Sequence, residues 1–269
     1  MARFEKHRIL ITGAGAGIGA LMAEEFAKQG AEVIVTARRI SAAREVTDRI
    51  MAAGGKAHPY VLDVSKIASI AKFRDKLHTE VGPITTLINN AGVVFGGEFE
   101  TVELEQHLNT FRVNTEGLMA TTHAFLEDLI QAYEGFLVNI ASASAFIGLP
   151  YGSTYAASKW AVVGFSESLR LELAVRKIKH VHVTSVCPSY ISTGMFDGVK
   201  TPLFSPMLTP KKVVKSIIRG MQKKDAFVIE PPMAKSVELM KAILPQGIWD
   251  EVARRTGVST SMYSWKGKK

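Results

Sequence analysis

The head of the chain leaves few folds open. Arg8-Ile9-Leu10-Ile11-Thr12 reads as a strand, Gly13-Ala14-Gly15-Ala16-Gly17-Ile18-Gly19 as a tight turn, and Ala20 to Gln29 as a helix that stops at Gly30. Small residues let a backbone turn sharply and come close to a pyrophosphate, which the free amides and dipole of the following helix then hold. The spacing is not G-x-G-x-x-G, because position 18 is isoleucine; it is Thr-Gly-x-x-x-Gly-x-Gly. A strand, a glycine turn and a helix at the start of 269 residues point to a doubly wound parallel sheet, in a chain long enough to bury a substantial core.

The rest of the sequence keeps that alternation. Strands are expected at Glu32 to Ala37, Ala57 to Leu62, Thr86 to Ile88, Phe136 to Ile140, Val181 to Val186 and Ala226 to Ile229. Helices are expected from Ser41 to Ala53 and Ile67 to Val81, as two consecutive helices from Thr101 to Tyr133, through Tyr155 and Lys159 to Val175, and from Pro210. This is the pattern of an α/β, Rossmann-like three-layer fold with a sheet of about seven strands. The chain reads as one domain: residues 1–186 form mainly a nucleotide-binding core, 187–209 a largely loop-like segment, and 210–269 a basic C-terminal extension.

The chemistry concentrates between Asn139 and Lys159. Tyr155 and Lys159 are four apart and share a helix face. A free phenol is a poor base at neutral pH, and an ammonium beside it is expected to lower its pKa towards the working range. Ser142 leaves the strand at Phe136 to Ile140, and strand ends of this kind are where doubly wound sheets bind ligands.

Ser142, Tyr155 and Lys159, with the Thr12-Gly13 turn and Asn89-Asn90-Ala91-Gly92, resemble the motifs of the short-chain dehydrogenase/reductase superfamily, and the matches run from Thr12 to Thr193. The resemblance implies that Ser142 orients the substrate oxygen, that Tyr155 gives or takes its proton, and that Lys159 tunes Tyr155 and binds the nicotinamide ribose. It implies that Asn114 bends its helix and holds a water on the proton path. Gly13, Gly15, Gly17, Ile18 and Gly19 would carry the pyrophosphate, Asp63 and Val64 the adenine, and Asn90, Ala91 and Gly92 the middle of the cofactor. Pro188, Ile191 and Thr193 would lie at the nicotinamide carboxamide, although Ser189 stands where the family usually has glycine. Asp63 also reads as the N-cap of the next helix. A looser likeness, through Leu208-Thr209-Pro210 and Ile243-Leu244-Pro245, is to the branch of 17β-hydroxysteroid and retinol dehydrogenases, without that branch's hydrophobic N-terminal anchor.

The choice of nicotinamide is read from the residues themselves, and the class of substrate from residues and resemblance together. After the second strand comes Ala37-Arg38-Arg39, with no carboxylate for an adenosine 2′-hydroxyl and two guanidiniums for a 2′-phosphate. NADP(H) is therefore expected over NAD(H). From Tyr190 to Leu208 a loop carries Met195, Phe196, Val199, Leu203, Phe204, Met207 and Leu208, and Phe95, Phe146, Leu149 and Tyr151 extend the same wall. A loop this apolar must cover something or be covered; in the family that the chain resembles this region is the substrate lid, which implies a lipophilic substrate: a ketone, aldehyde or alcohol of steroid, retinoid or fatty type. The alternatives are a catalytically silent NADPH-binding module and the same chemistry with NAD(H). A serine hydrolase is disfavoured, because Ser142 has no G-x-S-x-G elbow.

The net charge of +8 lies wholly after residue 209, where 13 Lys/Arg face 5 Asp/Glu. No nucleic-acid motif accompanies it, and no metal is expected, since Cys/His clusters and H-E-x-x-H are missing. Met233, Val237, Met240 and Leu244 form an amphipathic stripe, read as core or subunit interface, or as a peripheral contact with an anionic membrane. The one cysteine, Cys187, and the lack of a leader or spanning segment make a cytoplasmic protein the expectation. Family analogy adds a homodimer or homotetramer.

Overall fold

A strand buried on both faces must have neighbours on both sides, and β1 (Arg8–Ile11) buries Ile9, Leu10 and Ile11 completely. In the computed structural model, which describes residues 4–203 and 205–267, β1 lies inside a seven-stranded, wholly parallel sheet. Its other strands are β2 (Glu32–Ala37), β3 (Lys56–Val61), β4 (Thr86–Asn89), β5 (Gly135–Ile140), β6 (Val181–Pro188) and β7 (Phe227–Glu230). The order is β3-β2-β1-β4-β5-β6-β7. The chain winds outward from β1 to β3, then returns to start again at β4, so β1 and β4 diverge in the direction of their connections. That divergence opens a crevice at their carboxyl ends.

Period-two alternation divides the core into two layers. Ile9 and Ile11 point with Val33 and Val35 towards α1 (Gly17–Lys28), α2 (Ile40–Ala52) and α7 (Pro210–Lys223), where Phe26, Val46, Ile217 and Met221 meet them. Leu10 and Ile34 point the other way, towards α3 (Ile70–Glu80), α5 (Gly117–Gln131) and α6 (Ser153–Val175), where Phe73, Leu77, Phe125 and Leu173 wait. Removing a ring as enclosed as Phe26 or Phe125 by mutation to alanine costs about 3–5 kcal/mol.

Several boundaries differ from the sequence reading. β3 begins and ends one residue early, β6 continues through Cys187 and Pro188, and β7 reaches Glu230, whose carbonyl takes the Ser189 amide. Ile67–Ser69 is a 3-10 turn, and α3 starts only at Ile70. Asp63 does not cap it: its carboxylate accepts from the amide and hydroxyl of Ser65, closing a local turn. Between α4 (Leu104–Phe111) and α5 the helix loosens into a π-turn at Arg112–Glu116, with Asn114 at its centre.

The largest departure is at the C-terminus. α8 (Ala234–Ile243) buries none of its residues, so of the readings of its apolar stripe as core, subunit interface or membrane contact, core is the one that fails. α9 (Gln246–Arg255), which the sequence reading did not delimit, buries Trp249 and Ala253, and beyond it Met262 is fully enclosed. No helix among the described residues is long and apolar enough to cross a membrane, and no group of them could hold a metal ion.

Candidate active site

The crevice at the ends of β1 and β4 is a cleft of about 670 Å³. Its floor is the glycine turn. Gly13 has φ +64°, and a Cβ there would stand 2.9 Å from the Ala91 Cα. Behind it, Asn90 donates from its side chain to the carbonyls of Thr12 and Gly13 at 2.9 and 3.1 Å, and the amides of Asn90 and Ala91 share the Thr12 hydroxyl. Asn89 points into the core instead, bonded to Thr122 and Asn139. The two asparagines thus do separate jobs: one fixes the turn, the other ties β4 to β5 and α5.

These features fit a dinucleotide. α1 begins at Gly17 with Ala16 as an N-cap that offers no side-chain acceptor and with no acid in the first turn, so its leading amides face the cleft free for an anion. Arg38 and Arg39 line the far end, exposed, and no carboxylate pairs with either among the described residues. Gly15, Gly17, Ile18 and Gly19, then Asp63, Val64, Asn90, Ala91 and Gly92, then Pro188, Ile191 and Thr193 share the lining with them. Every cofactor residue expected from the sequence lies on this one surface.

A second, smaller cavity of about 160 Å³ adjoins the cleft, lined by Ser142, Leu149, Phe196 and Leu203, by Met233 just before α8, and by Val237 and Met240 on α8. Tyr155 lines both spaces. Ser142 ends β5 as the cap of a short 3-10 turn: its Oγ accepts the Ser144 amide at 3.2 Å and lies 3.4 Å from the Pro188 carbonyl. Lys159 is buried, donates to the Ile140 carbonyl at 2.8 Å, and has its Nζ 5.7 Å from the centre of the Tyr155 ring. Asn114 lines neither space. Fully buried, it binds both backbone groups of Val93 and donates to Ser158, holding the segment after Gly92 against α6.

The electrostatics correct one expectation. Burial pushes the Tyr155 phenol well above its usual pKa; the Ser142 hydroxyl works against this, and the Lys159 ammonium is not among the opposing influences. Burial also drives Lys159 down, to about 8. In this arrangement the phenol is neutral at pH 7 and holds a proton.

The wall of the cavity also departs from the sequence reading. Leu149 lines it, whereas Phe146 packs in a separate cluster, Tyr151 packs edge-on against Tyr263, and Phe95 lines neither space. Within the lid Met195 faces the cleft, Leu203 the cavity and Phe196 both; Val199 packs beneath them, Leu208 is bridged to Ile191, and Met207 is exposed. Phe204 lies outside the described residues.

Unforeseen is what holds the lid. The segment after α9 ties it down along its length: the Leu203 amide donates to Thr256, the Lys200 amide to Ser261, the Trp265 indole to Met195, and the Tyr190 hydroxyl to Ser261 at 2.8 Å. The sequence signals this faintly, through Trp249, Tyr263 and Trp265 in an otherwise polar tail.

The family model described as short chain dehydrogenase matches residues 7–202. Estradiol 17-beta-dehydrogenase 11 of Homo sapiens is 32% identical over 250 residues, 93% of this chain and 83% of that protein. Epidermal retinol dehydrogenase 2 of Mus musculus is 34% identical over 264 residues, 97% of this chain and 85% of that protein. Among solved structures, a short chain dehydrogenase/reductase from Burkholderia phymatum in complex with NAD shares the fold with TM-score 0.80 at 22% identity, covering 94% of this chain and 96% of that one. A gluconate 5-dehydrogenase from Burkholderia cenocepacia in complex with NADP and tartrate does so with TM-score 0.78 at 23% identity, covering 87% and 97%.

Proposed function

The chain belongs to the short chain dehydrogenase family, oxidoreductases of CH–OH groups that use a pyridine nucleotide, and on that premise we propose that it works with NADP(H) on a lipophilic alcohol or carbonyl compound of steroid, retinoid or fatty type. One observation carries the reading: Tyr155 stands in the partition between the glycine-floored cleft and the apolar cavity, with Ser142 on the cavity side and Lys159 on the cleft side.

The nicotinamide, when bound, supplies or accepts the hydride. The chain does the rest. Ser142 orients the substrate oxygen with its hydroxyl, and Tyr155, protonated at pH 7, donates to that oxygen in the reducing direction and is left as phenolate; oxidation is the reverse, the phenolate taking the proton of the alcohol. Lys159, fixed on the Ile140 carbonyl, faces the cleft as a buried cation that would meet the nicotinamide ribose. Asn114 holds the Val93 backbone, and so the wall beside Gly92, in place. Arg38, with Arg39 beside it, would meet a 2′-phosphate, and the missing acid after β2 leaves nothing there to repel it.

The cavity is smaller than the roughly 300–1,000 Å³ usual for a drug-sized ligand, so a wall must yield on entry. α8 is the wall free to do so, since it buries nothing. The test is turnover of retinol and estradiol, or of the matching aldehyde and ketone, followed by nicotinamide absorbance with NADP(H) and with NAD(H). Turnover favouring NADP(H) is expected; silence with both nicotinamides sinks the proposal and leaves a nucleotide-binding module.

A further inference from the structure

Most of the lining of the substrate cavity is apolar, but one part of it carries unused hydrogen-bonding capacity. Tyr190 donates its proton to Ser261, and Ser261 donates onward to the Val258 carbonyl at 2.9 Å, so the Tyr190 oxygen keeps its lone pairs free. Beside it in the chain, the hydroxyls of Ser189 and Ser205 bond each other at 2.6 Å. Two hydroxyls sharing one bond leave one proton unspent. All four side chains line the cavity, so it holds an idle acceptor and an idle donor away from the Ser142 hydroxyl. A substrate that was hydrocarbon throughout would seal both against apolar atoms, and that burial is costly.

Resting on the reading of this cavity as the substrate site, we propose that Tyr190 is a specificity-determining residue that accepts a hydrogen bond from a second hydroxyl of the substrate, remote from the carbon that reacts, with the Ser189–Ser205 pair donating to the same group. Tyr190 meets Phe196 edge-on at 5.2 Å between ring centres, and Phe196 meets Tyr155 edge-on at 5.9 Å, so one aromatic ring touches the tyrosine of each hydrogen-bonding station. The substrate class is therefore a lipophile that carries a second hydroxyl besides the group that reacts. Ser261, reaching in from the C-terminal segment, aims the Tyr190 hydroxyl and acts as a positioning residue.

The experiment compares estradiol with its analogue lacking the phenolic hydroxyl, a pair differing only at the distal end, and includes retinol, which has one hydroxyl. The wild-type protein is expected to favour estradiol about tenfold in kcat/KM, chiefly through KM, which is the effect of one net hydrogen bond. Tyr190→Phe is expected to bring estradiol down to the level of the analogue while leaving the analogue and the nicotinamide KM unchanged, and Ser261→Ala to do so in part. Equal handling of the pair by the wild-type protein overturns the inference, as does turnover of retinol with neither steroid accepted, or an equal loss on both steroids in Tyr190→Phe. These outcomes leave the proposed function standing. Inactivity on all three compounds with both nicotinamides removes that function, and the inference with it. The wild-type comparison decides the matter even if a variant fails to fold.

Discussion

The cleft and the cavity share a wall but are built in opposite ways. The cleft is backbone-made: a glycine turn, the amides at the head of α1 and the ends of β1, β4 and β6 shape it, and two fully enclosed core layers hold them. The cavity is made of side chains on a lid, on a helix that buries nothing and on a C-terminal segment, joined by a handful of hydrogen bonds. Where the ligand is a constant of the family, rigid backbone recognises it. Where the ligand varies, the contacts sit on elements that can change without disturbing the sheet.

Four measurements would break or sharpen this contrast. The greatest effect belongs to the shared wall: Tyr155→Phe should cut turnover by about 10²–10⁴ while the variant still gains thermal stability with NADPH. Retained turnover would show that the partition does not carry the proton. Next, Arg38→Ala should weaken NADPH binding by about ten- to a hundredfold and leave NADH binding unchanged, the loss of a charge-assisted hydrogen bond. Parallel losses for both nucleotides, read by titration, would mean that this end of the cleft does not read the phosphate.

A pH effect should follow from the buried lysine. The folded-state pKa of Lys159, about 8, lies below its ordinary value of 10.5, so between these limits the folded chain binds fewer protons than the unfolded chain. Stability should therefore rise with pH across that window, by up to roughly 3 kcal/mol. Lys159→Met should be relatively more stable below pH 8 and should lose this slope in denaturant titrations; an unchanged slope would assign it to other groups.

The smallest effect is expected at the lid. Trp265→Ala removes the indole bond to Met195 and should raise the KM for the lipophilic substrate a few-fold, with an unchanged KM for the nucleotide. A matching change in both would mean that the C-terminal segment supports the whole site.

The contrast also marks what could be read from the sequence. Gly13 to Gly19 and Asn89 to Gly92 were legible as short motifs: a backbone that turns within a few residues needs particular residue types at particular spacings, even where, as with Asn90 on Thr12 and Gly13, the partner lies far along the chain. The bend that the resemblance implied at Asn114 has a physical counterpart in the π-turn around it, asparagine being a poor residue for a helix interior. Asp63 misled, because a carboxylate two residues before a serine can close its own turn as readily as cap a helix. The direction of the Tyr155 shift misled for a different reason. Spacing places Lys159 one helical turn away, but only the packing shows how completely both groups are dried and that the charge of Lys159 does not act against the shift.

What the sequence determined by itself was the sheet, the nucleotide cradle and the identity of the groups that meet there, since period, spacing and residue type govern each within one or two elements. What only the tertiary structure decided was the apolar cavity: that Val237 and Met240 of α8 line it instead of a core, that Tyr190 leans on Ser261 from far along the chain, and that the Trp265 indole bonds Met195. Contacts between residues some seventy positions apart leave no periodic trace, because their pairing is set by how the finished sheet brings loop and tail together.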